Sequence, residues 1–204
     1  MRIERELFFW MGGVFCLSIE QALYKALKAF AMPSPSATVQ TQAKKNAEAL
    51  ALGKLSTPDF CGLMAEAAAL EAKAAELESA IVACLTIDDE ALRIVTALEK
   101  ELRLRLIVDL PQNWAQSLRG YDKLAAHFDH PIALDACGLD TMVPQVFELI
   151  QSSAGAPMQQ CVVLDSDIKR CVASIRFRLP AAIILSNYHL TREFRLRGLL
   201  DQMK

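Results

Sequence analysis

Apolar positions along this chain follow two different rhythms. Residues 7–10 are continuously apolar and end at Gly12-Gly13, which predicts a buried central strand followed by a tight turn. From residue 20 to about 100 the spacing is helical. Leu23, Leu27 and Phe30 share one face of a first helix that stops before Pro33-Ser34-Pro35. Residues 40–52 and 59–85 are rich in alanine, glutamate and leucine, and Ser56-Thr57-Pro58-Asp59 supplies a helix start. A further helix is expected from Asp88 to about residue 101, opened by acids that suit the helix dipole. Beyond Arg103 the rhythm changes. Residues 104–110, 132–136, 161–165 and 181–185 read as strands, with helices expected over 112–118, 144–152, 168–177 and 190–200. Strands alternating with helices at this spacing predict βαβ units and a parallel sheet. The expected fold is therefore α/β. A Rossmann-like parallel five-stranded sheet, built from 1–19 and 101–204, is flanked by helices, and an all-α cap, 20–100, is inserted after the first strand.

Composition narrows the function classes. The 204 residues are 53% hydrophobic, ample for a buried core, and the net charge of −2 with a pI near 6.0 makes nucleic acid an unlikely partner. Charge is uneven, however: residues 169–204 hold eight Lys or Arg and only two acids, Glu193 and Asp201. Arg176, Arg178, Arg192, Arg195 and Arg197 could meet an acidic partner, or could equally be solvated helix faces. The six cysteines are scattered, form no CxxC pair and sit mostly in apolar contexts, as buried thiols in a reducing cytoplasmic compartment would. Residues 7–19, after Arg2 and Arg5, have the look of a short secretory leader, but Glu4 and Glu6 interrupt the basic start and no small-residue cleavage site follows. No stretch reaches the ~18–20 apolar residues of a membrane span, so no membrane association is expected.

Several segments, taken in order, carry a resemblance. They are Phe9-Trp10-Met11-Gly12-Gly13-Val14, the stretch from Gly53 through Ser56-Thr57-Pro58-Asp59 to Phe60, and Val108-Asp109-Leu110-Pro111. His127-Phe128-Asp129 follows, then Gly138 through Val146-Phe147, and finally Val163-Leu164-Asp165-Ser166-Asp167. Their sequence resembles the haloacid dehalogenase-like hydrolase superfamily, in its subgroup with a helical cap after the first strand. The resemblance implies a crevice at the carboxyl ends of the strands. In the family that crevice holds a nucleophilic aspartate, an acid two residues on, a phosphate-binding hydroxyl and lysine, and carboxylates that hold Mg²⁺.

At the family's nucleophile position this chain has Trp10, and at the acid/base position Gly12. The first aspartate anywhere in the chain is Asp59, so no shift of alignment supplies a nucleophile. The hydroxyl position falls on Val108, beside Asp109, whose charge would repel an anion. The lysine position falls on Thr141, or on Met142 with a shift of one residue, and no lysine occurs between Lys123 and Lys169. Only the acidic motif survives, through Asp165 and Asp167.

The resemblance therefore implies a domain without catalytic residues or a metal cofactor. Its expected role is binding, regulatory or structural, through an unidentified protein partner or self-association. The alternative is a Mg²⁺-dependent hydrolase with residual activity or a relocated nucleophile. The residues expected to line the ancestral crevice or a ligand site are Trp10, Met11, Gly12, Asp109, Asp165, Ser166 and Asp167. Trp10 could floor a ligand site or fill vacated space. Asp165 and Asp167 could cap the following helix or bind metal. Ser166 lacks the glycine-rich turn of an exposed serine nucleophile, and a pairing of Cys16 with a histidine has no local support.

Overall fold

A computed structural model describes residues 6–71, 73–98, 102–197 and 199. The basic flank of the leader-like stretch (Arg2, Glu4, Arg5) lies outside the described residues. So do residues 99–101, 198 and 200, which were expected to extend two helices, and residues 201–204. The sheet has five parallel strands in the order β3-β2-β1-β4-β5, with β1 Glu6–Trp10, β2 Arg103–Val108, β3 Ile132–Ala133, β4 Cys161–Asp165 and β5 Ala181–Ile183. This is the Rossmann-like arrangement expected. β1 lies at the centre, paired with β2 (Trp10 opposite Ile107) and β4 (Phe9 opposite Leu164). All five of its residues are buried, which explains why it reads as an unbroken apolar run rather than an alternating one.

Side chains alternate across β1, so Phe9 and Trp10 face opposite layers. Phe9 joins an aromatic cluster with Phe15, Phe128 and Phe194, at centroid distances of 5.5, 5.5 and 6.0 Å. Phe194 belongs to α10 (Asn187–Leu196), which packs on α5 (Asp89–Thr96). On the other face Trp10 meets α9 (Ile168–Arg176). Between β1 and α5 stand four helices, α1 Ile19–Ala29, α2 Ala37–Ala51, α3 Thr57–Ala67 and α4 Ala74–Cys84, which pack on one another. α5, by contrast, packs against α10, and its cap Asp88 receives two hydrogen bonds from Asn187 at 3.1 Å.

Several boundaries differ from the sequence reading, each for a local reason. The helical stretch 59–85 is two helices, because the chain turns at Ala69 with φ of 50°. The third strand is two residues long and passes at once into a 3-10 turn, Leu134–Ala136. The last helix starts at Asn187, where Ser186 accepts the His189 N–H. Between β2 and β3 the chain forms two short helices, α6 (Gln112–Ser117) and α7 (Tyr121–Ala125), the second of which the sequence reading did not anticipate, and α8 (Gln145–Ser153) precedes β4.

Contacts near Gly53 help tie the inserted helices to the sheet. Gly53 has φ of 70°, and a Cβ there would lie 2.6 Å from the Asp135 carbonyl oxygen, so only glycine allows this close approach. Lys54 Nζ donates to the Asp140 carbonyl at 2.7 Å. Four of the six cysteines are buried, and no helix among the described residues is long and apolar enough to cross a membrane.

Candidate functional site

The parallel strands end together, placing Trp10, Val108, Asp109 and Asp165 at one rim of the sheet. Trp10, Met11 and Asp165 have no exposed surface, and Val108 and Asp109 are nearly as buried. The turn after β1 is anchored by the Gly12 N–H, which donates to Asp109 Oδ1 at 2.7 Å. A Cβ on Gly12 would touch that carboxylate at 3.0 Å, and one on Gly13 would overlap Ser166 Oγ at 1.8 Å. Asp109, expected as a repulsive neighbour of an anion site, thus serves the turn as an acceptor.

The organising group of the rim is one that the sequence reading did not single out, Arg170 on the first turn of α9. Its Nε and Nη2 grip both oxygens of Asp165, at 2.6 and 2.7 Å. Its Nη1 lies 3.7 Å from Asp109 Oδ2, and the guanidinium carbon stands 4.1 Å from the centroid of the Trp10 ring. A planar fork on a carboxylate with its face on an indole is a geometry that arginine, not lysine, can make. Burial penalises the charge of Arg170, but its hydrogen bonds to Asp165 and the fields of Asp165, Asp109 and Asp167 outweigh it, so the guanidinium stays charged. Burial drives the Asp109 carboxyl above its ordinary value, against Arg170 and the Gly12 N–H, which pull it down.

A signal for Arg170 was present in the chain. A helix N-terminus favours acids, yet the first turn of α9 contains none and carries Lys169 and Arg170 instead. A cation set there against the helix dipole needs a compensating anion, and Asp165 lies five residues before it.

The remaining expected residues divide. Asp167 is the N-cap of α9, accepting from Lys169 N at 2.7 Å and Arg170 N at 3.2 Å. The capping reading therefore holds for it, while Asp165 acts as the counter-ion of Arg170. Met142 and Val143 border the rim cleft, whereas Thr141 is exposed and its N–H donates to Gln145 at 3.0 Å. Ser166 packs against Gly13, with no hydrogen bond from its hydroxyl to a base among the described residues. Cys16 is buried, burial pushes its thiol well up, and its S–H points to the Met11 carbonyl. The histidines lie elsewhere: His127 faces Thr96 at 3.2 Å and His189 faces Ser186 at 3.0 Å. Trp10 fills space, and its buried indole N–H has no acceptor among the described residues.

Above the rim, between α1, α2 and the start of α9, lies a cleft of about 350 Å³. Arg170 and Asp109 line it, together with Glu20, Lys44, Glu48 and Lys169. Its position at the carboxyl ends of parallel strands is where ligands of α/β sheets bind.

No protein-family profile matches the chain, and no curated protein matches it in sequence. Solved structures do. YfnB of Bacillus subtilis, crystallised with magnesium, superposes with a TM-score of 0.67 at 14% identity, over 96% of this chain and 99% of its own. The L-2-haloacid dehalogenase of Xanthobacter autotrophicus, with chloropropionic acid covalently bound, gives 0.64 at 18%, over 97% and 84%. A HAD-family enzyme of Bacteroides thetaiotaomicron, in complex with magnesium and inorganic phosphate, gives 0.61 at 11%, over 88% and 93%. The chain has the haloacid dehalogenase-like fold.

That fold raises the question of Mg²⁺, which requires hard oxygen ligands in near-octahedral array. The residues here do not fit it. β1 offers an indole, both Asp165 oxygens are held by Arg170, and Asp109 is shared between Gly12 and Arg170. Among the described residues no group of three or more His, Cys, Asp or Glu is placed to hold a metal.

Proposed function

We propose that this chain is a haloacid dehalogenase-like domain without hydrolase chemistry, which acts by binding in a regulatory or structural role. The observation that carries this reading is the Arg170 clamp. Hydrolysis by way of an acyl-phosphate needs a free carboxylate to attack and a cation to offset the charge of the transferring group. Here the one fully buried carboxylate at the rim, Asp165, is engaged through both oxygens. The place from which a nucleophile would attack is filled by a fully buried tryptophan. A guanidinium takes up the negative charge that a metal would otherwise neutralise. The cleft above is retained, and that is the property a binding protein needs.

The test is hydrolysis of a generic phosphomonoester with Mg²⁺ at high protein concentration. It is run beside thermal unfolding with Mg²⁺ plus orthovanadate or beryllofluoride. The expected result is no turnover and no shift in the unfolding midpoint. Turnover that is lost on substituting Asp165 or Asp109 would overturn the reading and point to a relocated nucleophile.

A further inference from the structure

We propose that the cleft above Arg170 binds a small organic anion that also carries an ammonium group, of amino-acid size. This rests on the reading of the protein as a binding module and specifies its ligand. The cavity of about 350 Å³ is near the lower end of the range for small-molecule sites, which suits a ligand of amino-acid size.

The charges around the cleft fall into those already used and those still open. Arg170 spends Nε and Nη2 on Asp165, whereas its Nη1 is ion-paired with Asp109 at 3.7 Å without a hydrogen bond, and the residue lines the cavity. Lys44 of α2 and Lys169 of α9 border the same space and make no ion pair among the described residues. Glu48 is engaged by the Met142 N–H at 3.2 Å and Asp167 by the α9 cap. Glu20, half-buried on the first turn of α1, is the carboxylate left without a donor to its side chain among the described residues. Burial raises its pKa, while Lys44 and Arg170 lower it and Asp167 raises it, which places Glu20 within Coulombic reach of the cleft's cations.

A ligand carboxylate can therefore meet Arg170 Nη1 with Lys44 and Lys169, while its ammonium meets Glu20. Ile19, Ala47 and Met142 supply an apolar wall for the side chain. Discrimination comes from what each half-ligand lacks. A simple carboxylate or phosphate leaves Glu20 as an unpaired repulsive neighbour, and a simple amine leaves Lys44 and Lys169 without an anion.

The experiment is isothermal titration calorimetry and thermal unfolding of the full chain with separate probes at millimolar concentration. The probes are glycine, L-alanine, L-serine, L-aspartate and L-lysine, then propionate, ethylamine and inorganic phosphate. At least one amino acid is expected to bind saturably and raise the midpoint, with propionate and ethylamine at least about tenfold weaker. Lys44→Met should abolish binding, and Glu20→Gln should erase the preference for L-alanine over propionate. Both variants should keep the circular dichroism of the parent, because neither side chain holds the fold together.

Failure of every amino acid to bind overturns the proposal, as does equal binding of propionate or phosphate, or binding that survives both substitutions. Phosphomonoester turnover in the same sample would overturn the binding-module reading itself. Absence of both binding and turnover refutes only the ligand assignment.

Discussion

Replacing Arg170 by methionine is the sharpest test of the rim. Methionine keeps much of the side chain's length and apolar stem but removes the guanidinium. It leaves Asp165, with no exposed surface, and Asp109, 7% exposed, facing each other across a volume with no cation. Removing one partner of a buried ion pair costs about 3–5 kcal/mol, because the remaining charge is desolvated and uncompensated. Loss of the contact with Trp10 adds up to about 2 kcal/mol. A chain of this size shifts its midpoint by about 2–4 °C per kcal/mol, so Arg170→Met should unfold roughly 6–20 °C below the parent on the ion-pair term alone. Against a typical total stability of about 5–15 kcal/mol, this is a large fraction.

Scanning calorimetry and urea unfolding measure the loss, and a charge-matched variant isolates its cause. Arg170→Met combined with Asp165→Asn and Asp109→Asn removes the charges together and should recover most of it, since buried pairs replaced as a unit are often close to neutral. Arg170→Lys should fall between, keeping charge but losing the fork and the stacking. If Arg170→Met lies within about 1 kcal/mol of the parent, the guanidinium is not the counter-ion of the rim and the argument fails.

At the opposite end of the sheet, buried Glu6 accepts from Arg105 Nε at 2.9 Å, Gly155 N at 2.7 Å and Ala156 N at 3.1 Å. Glu6→Ala should therefore cost about 3–5 kcal/mol in urea unfolding, and Glu6→Gln less, because it keeps an acceptor. Gly13→Ala forces a Cβ to φ of 85° and onto Ser166, so a loss of about 1–3 kcal/mol is expected; adding Ser166→Gly should recover the clash but not the backbone strain. Asp109 gives a pH signature. Its folded pKa is raised, so the folded state holds the proton more tightly than the unfolded chain, and stability falls as pH rises from the ordinary 3.8 through the raised value. Asp109→Asn should remove that part of the slope in unfolding free energy measured against pH, while an unchanged slope would refute the assignment.

The fold was legible because its signals are local and redundant. Residues 161–165 were read as a strand and form one, bounded by a turn and by the aspartate cap of α9. Burial on both faces makes β1 a continuous apolar run, and that too can be read from sequence alone. Where the reading missed, the decisive contact was distant or small. Nothing in the composition of residues 59–85 marks Ala69 as a left-handed turn, and the α7 turn is only five residues long. At the site, the residues expected to have lost their chemistry were readable one by one, since Trp10 can be recognised as no nucleophile without a structure. The arrangement around Arg170 was not. Arg170 looks like one of eight basic residues near the C-terminus until the strand ends bring Trp10, Asp109 and Asp165 beneath it. Lys44 and Glu20 join the cleft only because the inserted helices fold back over the sheet.

Trp10 and Arg170 are coupled, and the coupling can be tested. On the proposed reading, the indole at the end of β1 leaves Asp165 without a metal, and Arg170 supplies the neutralising cation instead. With Arg170 gripping Asp165, a carboxylate at position 10 would have no metal to share. Trp10→Asp alone therefore adds a third carboxylate around one guanidinium, and deletion of the large core side chain costs about 3–5 kcal/mol. Its unfolding midpoint should not respond to Mg²⁺. Combining Trp10→Asp with Arg170→Ala frees Asp165 and supplies a second oxygen donor across the rim, so the midpoint should rise on adding Mg²⁺, as linkage requires when only the folded state binds. The readout is the difference in midpoint with and without the ion, within each variant. It is therefore independent of how much stability the substitutions remove. An equal Mg²⁺ response in Trp10→Asp alone would show that Arg170 yields to a metal. The clamp would then be a resting arrangement rather than a replacement for one.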